Sequence, residues 1–223
     1  MINSIIQQSL PLEFRPSYKR HDFIVGESNK YAVDWIDKFP FWKEPGLIII
    51  GPKSSGKSHL ARVLKFRSNC IIKQAEDINR ESFNLIRPQN LIIEDIEKVT
   101  NYKFFLHVIN VLNENKFKII LTSRQGLKYL DIDLLDLKSR LFVLPQTTIL
   151  LPTDDVLLGI IFKLAKDKGL KISEIVSKYI ISHIERSYQS ANSMIKQLDK
   201  ISMQRKKNIT IPLVKEVLFK NDK

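Results

Sequence analysis

Gly51-Pro52-Lys53-Ser54-Ser55-Gly56-Lys57-Ser58 is the stretch that decides the fold, because it matches G-x-x-x-x-G-K-[ST] without a departure. It is preceded by Leu47-Ile48-Ile49-Ile50, a short run apolar on every position, as a parallel strand buried on both faces requires. A helix is expected from Lys57 to about Phe66. In that setting the glycines let successive backbone N–H groups turn toward phosphate, and the helix N-terminus adds positive potential. Lys57 reaches the outer phosphates and Ser58 offers a hydroxyl to magnesium. The nucleotide-contacting set is therefore Gly51, Pro52, Lys53, Ser54, Ser55, Gly56, Lys57 and Ser58, with His59 directly after it.

Outward from this loop the same alternation repeats. Cys70-Ile71-Ile72, Leu91-Ile92-Ile93, Lys118-Ile119-Ile120-Leu121 and Thr148-Ile149-Leu150-Leu151 read as further strands, and 78–86 and 102–115 read as helices between them. Before the first strand, 29–38 reads as a helix with Ser28 as its N-cap and Pro40 as its stop. Strands separated by helices imply right-handed βαβ units and a five-stranded parallel sheet in an α/β core over 21–152. Beyond Pro152 the pattern turns helical: 154–168, 173–186, 190–204 and 211–219 form a small bundle over 153–223. Residues 1–20 read as an arm without sustained period.

A phosphate loop needs an acid at the end of a neighbouring strand. Glu94-Asp95, following Leu91-Ile92-Ile93, supplies two candidates: Glu94 by register on the metal side and Asp95 as its catalytic partner, with the alternative assignment open. Thr122-Ser123 ends another strand where an open α/β sheet binds its ligand, which makes Ser123 a candidate contact to the nucleotide. Arg140, in Asp136-Leu137-Lys138-Ser139-Arg140-Leu141, sits on an expected helix directed toward a subunit edge. An arginine supplied in trans can stabilise transition-state charge.

The bulk properties narrow the function class. No apolar run approaches the roughly 18 residues of a membrane helix, and Met1 to Gln8 carries no secretory pattern, so a cytoplasmic protein is expected. The lone cysteine, Cys70, reads as a small buried thiol. A net charge of +12 suits an anionic partner, but the cations are spread along the chain, so nonspecific DNA contact stays open.

Taken in order, the phosphate loop, acidic strand end, Thr122-Ser123, Ser139-Arg140-Leu141 and helical lid resemble the AAA+ core of the bacterial initiator DnaA. Asp22-Phe23-Ile24-Val25-Gly26-Glu27-Ser28-Asn29 is similar to the segment that opens that core beside the adenine. The Hda family of DnaA-related regulators is the closer likeness. It rests on the arm sequence Gln7-Gln8-Ser9-Leu10-Pro11-Leu12 and the ending Ile209-Thr210-Ile211-Pro212-Leu213-Val214-Lys215-Glu216-Val217-Leu218. The resemblance implies ADP or ATP with Mg2+ as ligand, and two partners: DnaA and the β sliding clamp of DNA polymerase III. Gln7, Ser9, Leu10 and Leu12 would hold the clamp, while Arg140 would press toward ATP held by DnaA. The chain's own ATPase would then be weak or absent, and self-association stays open. One departure concerns the lid: the family's nucleotide-contacting arginine falls on Gln189 here, with Arg186 one turn away as its substitute. A DNA-stimulated ATPase of helicase-loader or transposition-helper type is the competing reading.

Overall fold

The computed structural model describes residues 23–79, 89–205 and 208–220. Strands β1 (Gly46–Ile50), β2 (Ile71–Gln74), β3 (Leu91–Glu94), β4 (Ile119–Ser123) and β5 (Gln146–Thr148) form one sheet in the order β2-β3-β4-β1-β5. Every pairing in it is parallel. Side chains alternate across a strand, and the alternation sorts the core into two layers. Ile48, Leu91, Ile93, Ile119 and Leu121 face one layer, which helices α3 (Tyr102–Glu114) and α4 (Leu135–Val143) cover with Phe105, Val108, Leu137 and Leu141. Leu47, Ile49, Ile92 and Ile120 face the other, covered by α1 (Lys30–Asp37) and α2 (Lys57–Ser68) through Val33, Ile36, Leu60 and Leu64. Each fully buried side chain of this size contributes about 1.5–3 kcal/mol, so the central strands are fixed from both sides.

A second, self-contained apolar cluster follows. It is built from α5 (Asp154–Asp167), α6 (Glu174–Ile181), α7 (Tyr188–Arg205) and α8 (Ile211–Lys220) around Leu157, Ile161, Ile180, Ile195, Leu198 and Val214. This is the helical lid. The segment before α1 joins it to the sheet domain: a Cβ on Gly26 would meet Val156 Cγ2 of α5 at 2.2 Å, and one on Gly159 would meet Ile24 Cγ2 at 3.0 Å. Close approach of backbone and lid helix therefore needs glycine at both places.

Several local expectations are corrected. The last strand comes earlier than the apolar run 148–151 suggested: residues 146–148 pair with 48–50, while Leu150 and Leu151 are 61% and 51% exposed. The backbone, not side-chain apolarity, decides this, because the Leu150 N–H leaves the ladder to donate to Ser28 O at 2.8 Å. The cap before α1 is Asn29 rather than Ser28. Its side chain accepts from Gly26 N at 3.0 Å and donates to Ile24 O at 2.9 Å, shaping the turn itself. The helix expected over 173–186 stops at Ile181, where Ser182 Oγ donates to Tyr179 O at 2.9 Å and competes for the last-turn carbonyls. The next helix starts at Tyr188 because Ser187 Oγ accepts from Ser190 N at 3.1 Å, a serine cap. Most of the helix expected over 78–86 and the whole arm 1–20 lie outside the described residues.

Among the described residues no helix is long and apolar enough to cross a membrane. Cys70 is buried, and burial pushes its thiol pKa up despite a 3.1 Å contact with Ser68 Oγ. The thiolate is the reactive form, so the folded protein is expected to react with a thiol reagent at least about a hundredfold more slowly than the denatured chain. Equal rates, followed by absorbance, would show that the layer under α2 is open.

Candidate functional site

The phosphate loop spans the gap between β1 and α2, and its backbone is held in unusual conformations. Gly56 has φ 107°, and Ser54, though not glycine, has φ 62°. A Cβ on Gly56 would lie 3.1 Å from the Phe23 ring, and one on Gly51 would lie 2.6 Å from Ile149 O. Glycine is therefore required at both, by conformation at Gly56 and by close packing at each. Lys57 is 6% exposed, and its amine donates to Gly51 O at 2.7 Å and Pro52 O at 2.9 Å, so it closes the loop on itself. Burial lowers its pKa, an effect opposed by the negative charges of Asp95, Glu97 and Glu94. Ser55 Oγ is buried without a hydrogen-bond partner.

A cavity of about 430 Å³ opens from this loop toward the lid. Residues 53–59 form its floor, Phe23 and Ile24 one wall, and Val156, Ile160, Tyr188, Asn192 and Lys196 the lid side. Six cations line it (Lys53, Lys57, Arg62, Arg124, Lys163 and Lys196), against two carboxylates, Asp95 and Asp167. An apolar wall at one end and converging cations at the other suit a ligand with a flat ring and a polyanionic tail. Lid and loop also touch directly: Ser54 Oγ donates to Gln189 Oε1 at 2.8 Å.

The residues singled out in the sequence do not all converge here. Lys53 to His59 line the cavity, as does Asp95. Glu94 is 4% exposed at the end of β3; one oxygen accepts from Gln74 Nε2 at 3.2 Å, and the other, Oε1, is buried without a partner. Magnesium keeps several waters and takes one or two protein ligands, so the Ser58 hydroxyl and the unpartnered Glu94 oxygen fit such an ion. Asp95 is less available, since its Oδ2 lies 3.1 Å from Arg124 Nη2 and 3.7 Å from Lys98 Nζ. Its backbone, at φ 57°, donates to Thr122 Oγ1 at 3.0 Å. Ser123 is turned away from the cavity: its hydroxyl donates to Gln125 O at 2.7 Å and folds the following turn. Arg186 does not replace the lid arginine. The early end of α6 leaves it on the connection to α7, where it pairs with Asp154 at 2.7 Å. Arg140 lies on α4 outside the cavity, half exposed and 3.8 Å from Asp136. Gln7, Ser9, Leu10 and Leu12 lie outside the described residues.

Sequence reasoning missed Arg124 and the lid face Tyr188, Asn192 and Lys196. The last three recur at intervals of four along α7, a spacing visible in the sequence; the angle at which the lid meets the core is not.

Comparison with known proteins agrees with this architecture. Residues 154–218 match the family described as "Hda, lid domain". The chromosomal replication initiator protein DnaA of Buchnera aphidicola is 27% identical over 244 residues, covering 96% of this chain and 55% of its own length. Domain III of the Thermotoga maritima initiator DnaA superposes with a TM-score of 0.79 at 17% identity, over 93% of this chain and 97% of that one. The chain is an Hda/DnaA-related AAA+ protein. AMPPCP-bound DnaA from Aquifex aeolicus shares the fold at a TM-score of 0.72 and 22% identity, over 84% of this chain and 66% of that one. The chain thus spans about half the length of the Buchnera initiator it matches.

Lys57→Ala is expected to weaken ADP binding about 10- to 100-fold, the loss of a charge-assisted hydrogen bond of about 1.5–3 kcal/mol. The melting temperature should not fall, because a buried charge is removed with the side chain. Titration calorimetry with a parallel melt checks both; unchanged affinity would remove this cavity as a phosphate site.

Proposed function

We propose that this chain is a nucleotide-binding regulator of replication initiation of the Hda kind. It holds ADP or ATP between phosphate loop and lid, docks through its arm on the DNA-loaded β sliding clamp, and presents Arg140 to ATP held by DnaA. DnaA then hydrolyses its ATP and ceases to initiate.

The observation that carries this reading is a lid that matches the Hda lid family and closes over an intact phosphate loop. Two further features support it. Arg140 stands half exposed on α4 and away from the chain's own cavity, so its guanidinium is accessible to a second protein. Leu135, Phe142 and Val143 on the same helix are 77%, 49% and 73% exposed, an apolar surround suited to contact. Within the chain's own site, Lys57 and the loop amides bind the phosphates, and the apolar wall at Phe23 and Ile24 receives the base. Ser58 and Glu94 would hold magnesium, with Asp95 beside them. When bound, the ion neutralises phosphate charge.

A DNA-directed ATPase is the second reading, favoured by the net charge of +12. DNA-stimulated ATP turnover by the purified chain, abolished by Lys57→Ala, would establish it in place of the first.

The regulator reading is tested by ATP hydrolysis of DnaA in the presence of DNA-loaded clamp. The chain is expected to accelerate it, and Arg140→Ala to remove the acceleration by about 10³-fold, as for other arginines supplied in trans. A Gln7→Ala, Leu10→Ala, Leu12→Ala variant should lose clamp binding and the acceleration together. Full stimulation by Arg140→Ala would refute the arginine's role.

A further inference from the structure

Arg124 leaves the end of β4 one residue after Ser123, whose carbonyl accepts the Gly51 N–H at 3.0 Å. The backbone therefore sets this arginine beside the mouth of the phosphate loop, and its side chain lines the cavity. Its guanidinium is held by two acids: Nη2 lies 3.1 Å from Asp95 Oδ2 and Nε lies 3.2 Å from Glu97 Oε1. The Arg124 backbone N–H donates to the other Glu97 oxygen at 3.3 Å. Lys57 feels this arginine as well: after burial, and against the pull of the acids, the positive charge of Arg124 depresses the lysine's pKa. Two cations thus converge on one space, and the chain's own carboxylates serve as counter-ions. The arginine side chain is 45% exposed, against 21% and 17% for Asp95 and Glu97, so it has room to move while they do not.

We propose that Arg124 reads the terminal phosphate of a nucleoside triphosphate, resting on Asp95 and Glu97 when that phosphate is missing and transferring to it when it is present. This rests on the nucleotide-binding reading and deepens it. Ligands of open α/β sheets lie beyond the carboxyl ends of the strands, which here are the ends of β1, β3 and β4. With the inner phosphates on the loop amides and Lys57, the outermost one projects toward Asp95 and Arg124. A phosphate between Lys57 and Arg124 relieves their mutual repulsion, and the planar guanidinium can bind it through two parallel N–H···O bonds. The transfer also releases Asp95 from its closest cation. The lid does not supply this contact through Gln189, which is neutral and bonded to Ser54. A lysine could not reproduce the paired hydrogen bonds, and a purely bracing arginine would not distinguish two nucleotides.

The test is calorimetric titration of the full chain with ADP and with the non-hydrolysable triphosphate AMPPCP, in magnesium, for wild type, Arg124→Ala and Arg124→Gln. Both substitutions are expected to weaken AMPPCP about tenfold or more, the value of one charge-assisted contact, while ADP affinity stays within about threefold. The retained ADP binding also reports a folded site, and Arg124→Gln keeps a polar brace should the alanine variant unfold. Equal losses for both nucleotides, or no loss for either, would overturn the proposal. Wild type that binds neither nucleotide would overturn the underlying nucleotide reading as well, and the two failures are thereby told apart.

Discussion

An ammonium group taken almost wholly out of water is the constraint around which this molecule is arranged. Lys57 is buried at the first turn of α2 with its amine on the Gly51 and Pro52 carbonyls. A buried charge is tolerated only where hydrogen bonds and opposite charge surround it. The loop carbonyls give the first, and the acids at and after the end of β3 give part of the second. An anion completes the balance. The loop can adopt this shape because β1 is buried on both faces and cannot slide, and because Gly51 and Gly56 leave room where side chains would meet Ile149 O and Phe23.

The same few residues connect that loop to the lid. Phe23 lies against Gly56 and tilts toward His59 at 5.2 Å between ring centroids, Ile24 rests on Gly159, and Gly26 rests on Val156. Asn29 holds the segment's bend through its bonds to Gly26 and Ile24. A change at the phosphate loop is therefore felt at the lid through packed atoms rather than through a flexible tether. Ser54 and Gln189 close the opposite side of the cavity.

What was legible in the sequence was whatever leaves a local mark. Four fully apolar residues before Gly51 marked a doubly buried strand, and the loop's residue types carried their own geometry. β5 was displaced because its strand is made of Gln146, Thr147 and Thr148, polar residues recruited by backbone pairing with 48–50. Arg186 was misjudged because hydroxyl groups at Ser182 and Ser187 end one helix and begin the next, which moves it off the helical face. Arg124 had no local mark: in the sequence it is one charge in a polar turn, and only the parallel pairing of β4 with both β1 and β3 brings it to the phosphate loop and the acids.

Hydrogen–deuterium exchange of the full chain with and without ADP tests most directly whether loop and lid form one ligand site. The account predicts simultaneous protection of residues 53–59 and of 188–196, since one ligand contacts both sides of the cavity. Protection confined to the loop, or absent from both, would contradict it.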